Sequence, residues 1–560
     1  MRSNALVLAV VCSLLAVGLG TIGSTPVFAL ESPAIQSGNV TEAEIETETE
    51  TGTKNHSAII KVYPNLPVPQ NRGEYVVVTL AQPGNWTLTD GVSTVSLPRN
   101  HTGPIAVTRD PHLTQNITRY PVYETASRFR LSQDGETLTL KRDGKMVDKI
   151  AYDRATEGDR WHRNASQQWI PEGLTLRETV NTGPATVETF VLPDTPAQPI
   201  EPIATATDRV HIGAYTFESW TAAKALVEAH DRGANVSVLV DGNPVGGVSE
   251  QQKSVLDTLV AEGVTVHVLG GDRSRFRFHH PKYAIADDNA VVLTENWKPA
   301  GTGGEESRGW GVRIENNRTA NELYTVYHHD TGWKDTVSWE TYRTQIDTTE
   351  QPVAAGEFET AHRAKKHTAD QVSVLTAPGN AEDAVVKMLR SAEDEVLIMQ
   401  PQLASPQQRM VRAAVAAAKR GVDVKILLSD AWYSNEENNA IAAHMNRQAD
   451  AGNYPLAVRV DEPNGRYGKI HAKGLVVDNT TIVGSLNWND NSARENREVA
   501  VQIESAEVAT YYRSVFAADW QTDKHDERTV RYVEGGVLIL IGLIAIGTIA
   551  YAHRSIIFAE

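Results

Sequence analysis

Cysteine is nearly missing from this chain: its 560 residues hold one, Cys12. Cys12 lies in an apolar run from Ala5 to about Leu19, after Arg2 and before the small-residue site Val27-Phe28-Ala29, which is the pattern of a secretory leader spanning residues 1–29. No small residue directly precedes Cys12, which argues against lipid attachment. With the leader removed no thiol remains, and this excludes disulfides, thiol nucleophiles and cysteine-ligated metals. Positive charge is also short. Lys and Arg number 53 against 70 Asp and Glu, a net charge of −17. Such a surface does not adhere as a whole to nucleic acid, although local basic patches stay open.

Long apolar runs are confined to the two ends. The second, "GGVLILIGLIAIGTIAYA" from Gly535 to Ala552, carries no charge over about 18 residues, enough for one bilayer-crossing helix. Leader and segment together predict a single-pass protein of the cell membrane whose body lies outside the cytoplasm. Nine N-x-S/T acceptors, from Asn39 to Asn479, agree with export, since chance in this composition gives roughly four.

Between the ends the chain is organised in blocks. Residues 30–56, with "TEAEIETETETGTKNHS", are acidic and free of aromatic residues, so they form a disordered linker. Residues 57–190 alternate short β-rich runs with Gly, Pro, Asn and Asp turns, as in a small antiparallel sandwich, and "KRDGKMV" reads as a hairpin turning at Asp143-Gly144. The runs "VYPN", "GEYVVV", "NWTLTD" and "SQDGETLTLKRDGKMVDKIAYD" resemble, in that order, the lamin tail domain. That resemblance implies an immunoglobulin-like sandwich that binds an unknown surface ligand and has no catalytic residues. "VLPDTPAQPIEP", Val191 to Pro202, reads as a proline-rich linker.

The chain then repeats itself. Strand "VHIGAYTF", helix "AAKALVEAHDRG" and strand "VSVLV" recur as "VLIMQPQL", "RMVRAAVAAAKRG" and "VKILL". Glycine after a basic residue closes each helix, and the strand-helix-strand order implies a layered, mainly parallel sheet. Two α/β lobes follow, residues 191–345 and 346–525.

Each lobe carries the same set of polar residues at the same offsets. The first has His280, Lys282, Asp287, Thr294 and Asn296; the second has His471, Lys473, Asp478, Ser485 and Asn487. His and Lys two apart on a strand point from one face. Two such faces opposed across a pseudo-two-fold seam give two imidazoles, two ammoniums and two amides with no metal-ligand cluster. That pocket fits a phosphodiester: cations and amides hold its oxygens, and imidazoles attack and move protons.

These residues resemble the duplicated HxKx4D…GSxN motif of the phospholipase D superfamily. The resemblance implies an α/β fold of two phospholipase-D-like lobes, here preceded by the sandwich and followed by the membrane helix. It implies metal-independent, cofactor-free hydrolysis or transfer through a phosphohistidine, with phospholipid, DNA or RNA as the substrate. The candidate catalytic set is His280, His471, Lys282, Lys473 and Glu498. Asn296, Asn487, Thr294 and Ser485 are candidate phosphate ligands, and Asp287 and Asp478 brace strand ends.

The halves are unequal. Leu293 stands where the motif has glycine, and Gly309 stands where the second half has Glu498, the carboxylate expected to orient an imidazole. Pairing Glu498 with His471 makes His471 the general acid and His280 the nucleophile. These departures also motivate the alternative, a surface phosphodiester-binding or adhesion protein without turnover. Of the neighbouring residues, His279 has the wrong strand parity for the site. "YHHD", Tyr327 to Asp330, reads as surface, while Arg273, Arg275 and Arg277 either attract an anionic substrate or face away.

Overall fold

Two 13-residue strands, Val180–Leu192 and Lys365–Ala377, run antiparallel at the middle of the largest sheet. The computed structural model describes residues 56–67, 72–118, 120–125, 129–163, 169–270 and 274–521. Outward from Val180–Leu192 the sheet continues through Ser307–Glu315, Asn289–Leu293, Lys282–Ala286, Arg209–Ala214, Asn235–Asp241, Thr265–Leu269 and Thr336–Ser338. Outward from Lys365–Ala377 it runs through Glu498–Glu504, Thr480–Gly484, Gly474–Val477, Glu395–Gln400, Asp423–Leu428 and Leu456–Val460. Apart from the extra edge strand Thr336–Ser338, the order is the same on both sides, so the two α/β lobes are pseudo-two-fold copies about the central pair.

Each lobe contains three adjacent parallel strands, joined by crossover helices as parallel strands require. Trp220–Asp231 starts at Ser219, whose hydroxyl accepts from the Ala222 N–H, and buries Ala222, Ala225, Leu226 and Ala229 along one face. Its equivalent, Arg409–Lys419, buries Met410, Val411, Ala414 and Ala417. Gly233 and Gly421 follow at φ +97° and +104°, so the helices stop where the sequence placed their stops.

From sequence the first lobe starts at residue 191 and Val191 to Pro202 reads as a linker. The lobe's sheet instead begins at Val180. Val191 and Leu192 close the central strand, and helix Glu201–Thr205 follows at once. Proline ends the strand because it offers no N–H to the ladder, but the segment is not free. Asp194 is buried, accepts from the Arg308 guanidinium and takes the N–H groups of Ala361 and His362.

Strands between residues 58 and 171 form a six-stranded and a four-stranded sheet packed face to face through residues such as Val62, Val76, Leu88, Leu138, Leu140 and Trp161. The hairpin turns at Asp143-Gly144, both at positive φ. This sandwich is fastened to the first lobe by Arg177 to Glu322 and by Lys334 to Glu172 at 2.9 Å. The leader at 1–29 and the apolar segment at 535–552 lie outside the described residues. Among the described residues no helix is long and apolar enough to cross a membrane.

Two buried arginines lock the lobes together. Arg497 of the second lobe pairs with Asp330 of the first at 2.8 Å, and Arg308 of the first pairs with Asp519 of the second at 3.0 Å. "YHHD" is therefore not a surface element throughout: Tyr327 and Asp330 are buried, while His328 is exposed. Leaving either arginine without its carboxylate costs about 3–5 kcal/mol.

Candidate active site

The same arginine-bearing segments hang the two histidines. The His280 N–H donates to the Arg497 carbonyl at 2.9 Å, and the His471 N–H donates to the Arg308 carbonyl at 3.0 Å. The backbone of each histidine is therefore pinned to the other lobe. Lys282 and Lys473 lie two residues on, at the edge where the parallel strands end: Ala214 is paired with Lys282, and Met399 with Gly474. Their ammoniums donate to the carbonyls of their own histidines at 2.7 and 2.6 Å, and Lys473 also reaches Thr294 O of the opposite lobe at 3.4 Å.

Behind each ring stands a buried carboxylate from the opposite lobe. His280 Nδ1 lies 3.0 and 2.8 Å from the two oxygens of Glu498, and His471 Nδ1 lies 3.1 Å from Glu295 Oε2. The pairing of Glu498 with His471 expected from sequence is thus corrected. Once the lobes face each other, the nearest imidazole to Glu498 belongs to the other copy.

Glu295 is the site residue that sequence reasoning missed. It sits between Thr294 and Asn296, where the second lobe has Leu486. Its signal was Gly309: a Cβ there would lie 2.2 Å from Glu295 Cγ. The glycine makes room for a carboxylate arriving from the turn, so the apparent defect of the first half is the space its substitute occupies.

The two carboxylates are held differently. Glu498 also accepts from Ser492 Oγ, and from Asn496 Nδ2 at 3.1 Å. Glu295 Oε1 is buried without a hydrogen-bond partner. Tyr215 adds a wall to the first half: its ring meets the His280 ring edge-on at 4.6 Å and lies under the Lys282 ammonium at 5.3 Å.

Burial drives the electrostatics. It lowers His280 to about 4 and His471 to about 3, against the opposing pull of Glu498 and Glu295, so both rings are neutral at pH 7. With Nδ1–H donated to a carboxylate, the lone pair is left on Nε2. Burial also lowers both lysines, Lys473 to about 8 and Lys282 well below its usual value, with Lys473 adding to the effect on Lys282. Burial opposes ionisation of Glu295 and Glu498 as well, but the facing histidine and the lysines outweigh it and keep both carboxyls below the usual range. Lys282 and Lys473 each act on both imidazoles, so the two half-sites form one cluster.

The remaining candidates divide. Asn296 is buried with its Oδ1 unpartnered, so its amide is free to turn to a ligand; Asn487 is half-buried. Thr294 and Ser485, expected as phosphate ligands, are fully buried, and their hydroxyls are spent on the backbone. Thr294 Oγ1 accepts from the Trp310 N–H at 2.9 Å, and Ser485 Oγ bridges the Val499 N–H and C=O at 3.0 and 3.2 Å. They staple the turns to the neighbouring strands.

Asp287 and Asp478 sit at φ +52° and +50° and each takes three successive backbone N–H groups, those of residues 207–209 and 393–395. His279 is fully buried, with Nε2 3.7 Å from Asp330. Arg275 is consumed by Asp335 and two carbonyls, Arg277 pairs with Glu495 at 3.1 Å, and Arg273 lies outside the described residues. Among the described residues, no group of three or more His, Cys, Asp or Glu side chains is arranged to hold a metal ion.

Residues 200–331 and 385–520, one stretch in each lobe, match the family model described as "Cardiolipin synthase, PLD-like domain". No curated protein sequence matches the chain. Among solved structures the chain is similar to phosphatidylserine synthase of Haemophilus influenzae Rd KW20, at 13% identity over 64% of this chain and 94% of that one, with a TM-score of 0.46. It is also similar to Nuc, a phospholipase D family member from Salmonella typhimurium, at 21% identity over 29% and 99% with a TM-score of 0.24. NucT from Helicobacter pylori gives 22% identity over 27% and 94%, with a TM-score of 0.23.

Proposed function

With the match of both lobes to a phospholipase-D-like domain as the premise, we propose that the chain is a membrane-anchored phosphodiesterase working outside the cytoplasm. It would cleave or transfer phosphodiesters through a phosphohistidine, without metal or cofactor, on phospholipid or nucleic acid. The observation that carries this reading is the pair of imidazoles, each with Nδ1 held by a buried carboxylate of the opposite lobe and both flanked by the same two lysines.

Lys282, Lys473, Asn296 and Asn487 hold the non-bridging oxygens. Arrival of the phosphodiester anion raises the proton affinity of both rings, and one takes up a proton. The lone pair of His280 Nε2 attacks phosphorus, a P–N bond forms, and the P–O bond to the leaving alcohol breaks as His471 Nε2 gives that oxygen its proton. Neutral His471 then takes a proton from water or an acceptor alcohol, whose oxygen displaces His280 from phosphorus. Glu498 clamps His280 with both oxygens and is itself fixed by Ser492 and Asn496, which suits a nucleophile that must not turn. His471 is bound through one oxygen and its side chain is twice as open, 21% against 11%, which suits the ring that exchanges protons.

The binding-protein reading rested partly on Gly309, and the place of Glu295 removes that ground. For the sandwich, the proposal remains a lamin-tail-like binding module for a surface ligand. To test the enzymatic reading, the full chain is incubated with bis-p-nitrophenyl phosphate, a phospholipid and plasmid DNA in excess EDTA. Turnover that persists with chelator and vanishes in His280→Asn and His471→Asn is expected. Wild-type protein inactive on all three leaves the binding module.

A further inference from the structure

The loops at the site's edge carry apolar side chains that a water-soluble rim does not need. Trp432 is 91% exposed, Val245 77% and Val353 68%, and Tyr433 is 45% exposed beside Trp432 at 5.6 Å. Val245, Trp432 and Tyr433 lie close to the imidazoles, and Val353 sits on a segment bonded to the loop that carries Val245. Tyr433 lies within electrostatic reach of Glu295, and its ring is 6.0 Å from the ammonium of Lys469, two residues before His471. The Val245 N–H donates to the hydroxyl of Tyr215, the ring against His280. Val353 lies between Gln351, bonded to Gly247 O, and Gly356, bonded to Glu305 O.

Val245 and Trp432 follow strands that occupy the same place in the two lobes, Asn235–Asp241 and Asp423–Leu428. The apolar tips therefore flank the site from both sides. Exposed Trp and Tyr beside apolar residues is the composition that settles at a membrane–water interface.

Two further observations favour a lipid surface over a nucleic-acid strand. A groove that tracks a phosphate backbone needs unpaired cations in series. Here Arg277 is paired with Glu495, Lys469 with Glu306 at 2.7 Å, and Arg466 with Asp519 at 2.8 Å. The described chain also leaves the fold at this edge: the last helix, Ala506–Trp520, is tied by Arg466 to the Ala518 carbonyl and by Arg459 to the Trp520 carbonyl. Thirteen residues separate its exit at Gln521 from the apolar run starting at Gly535, at most about 50 Å of extended chain.

We infer that Val245, Val353, Trp432 and Tyr433 dip into the bilayer that the chain is anchored to and present the site to phospholipid in that membrane. This deepens the reading of a membrane-anchored phosphodiesterase and rests on its anchor for the bilayer and on its chemistry for the reaction.

The test uses the full chain in nanodiscs made with a dibrominated phospholipid. A fluorophore is placed by Trp432→Cys, Val245→Cys or, as control, Asp288→Cys, in a Cys12→Ser background; Asp288 is exposed at the far end of the strand that begins with Lys282. Quenching at 432 and 245, at least about threefold stronger than at 288, is expected. Equal quenching at all three positions overturns the docking, and so does a label at 432 that responds to single-stranded DNA and not to lipid.

In parallel, Trp432→Asp combined with Val245→Asp is expected to slow turnover of bilayer phospholipid about tenfold or more, with bis-p-nitrophenyl phosphate turnover unchanged within about twofold. An equal loss on both substrates overturns the docking role. Quenching without any wild-type turnover would instead sink the enzymatic reading and leave the docking standing.

Discussion

Behind His280 the orienting carboxylate comes from a strand, Glu498; behind His471 it comes from a turn, Glu295. The duplicated lobes place the histidines, lysines, asparagines and bracing aspartates at matching positions, yet the carboxylates diverge in register and converge in space. The strand position that supplies Glu498 is glycine in the first lobe, and the turn position that supplies Glu295 is leucine in the second. What the chemistry fixes is an oxygen near Nδ1, and the backbone that delivers it is free to change once the displaced side chain has been cleared away.

The sharpest way to separate the halves is to remove each ring. His280→Asn is expected to lower turnover of bis-p-nitrophenyl phosphate by about 10⁴ or more, because no P–N bond can form. His471→Asn should spare the first step, since nitrophenolate leaves without a proton, and then stall. Stopped-flow absorbance should show about one equivalent of nitrophenolate released in a burst, with a phosphorylated protein recovered by mass spectrometry. A burst in His280→Asn instead would reverse the roles.

Next in size come the carboxylates. Glu498→Gln should cost about 10²–10³ in kcat, because His280 loses a two-oxygen clamp, and Glu295→Gln only about tenfold, because His471 is held by one oxygen. Equal losses would erase the asymmetry proposed between the rings. A Cβ at Gly309 must push on Glu295, so Gly309→Ala should lower kcat about tenfold and stability by about 1–3 kcal/mol, read by thermal melts. Gly309→Glu with Glu295→Leu copies the second lobe's arrangement into the first and should recover part of the loss, which a merely crowded site would not do.

The smallest effect is on pH dependence. Burial holds Lys473 at about 8, so its charge is lost as pH rises through that value and phosphate is held less well above it. kcat/KM should fall above about pH 8, with an acid limb near pH 4, where His280 in the free protein takes up a proton and its lone pair is lost. Lys473→Met should remove most of the binding and leave the alkaline limb to Lys282 alone. An acid limb near 6.5 would mean the ring is more solvated than the fold implies.

Much of this molecule was legible in its letters. The helix between paired parallel strands, the glycine stops at Gly233 and Gly421, and the turn at Asp143-Gly144 are local signals, set by periodicity and by what φ a residue tolerates. The His-Lys pairs were visible through their matched spacing in the two halves, although His280 precedes the strand Lys282–Ala286 and His471 and Lys473 fall between Lys469–Ile470 and Gly474–Val477. What the letters did not carry was which lobe faces which ring: Glu498 lies 27 residues from His471 in the chain, while its partner His280 is reached only across the seam. Val180–Leu192 was cut short for a related reason. Its partners are Ser307–Glu315 and Lys365–Ala377, both distant in sequence, and the prolines after it looked like a linker when nothing nearby announced a second strand. A hydroxyl in a turn carries no mark of the backbone group it will satisfy, so Thr294 and Ser485 read as phosphate ligands from sequence alone.

Because each imidazole borrows its aiming group from across the central strand pair, neither repeat is self-sufficient. Split at the seam, the polypeptide would yield two fragments bearing an undirected ring and a crowded positive charge, not a pair of weaker enzymes. Reactivity here is a property of the embrace, and whatever loosens the grip of Arg308 or Arg497 from far away should be felt first as a loss of aim.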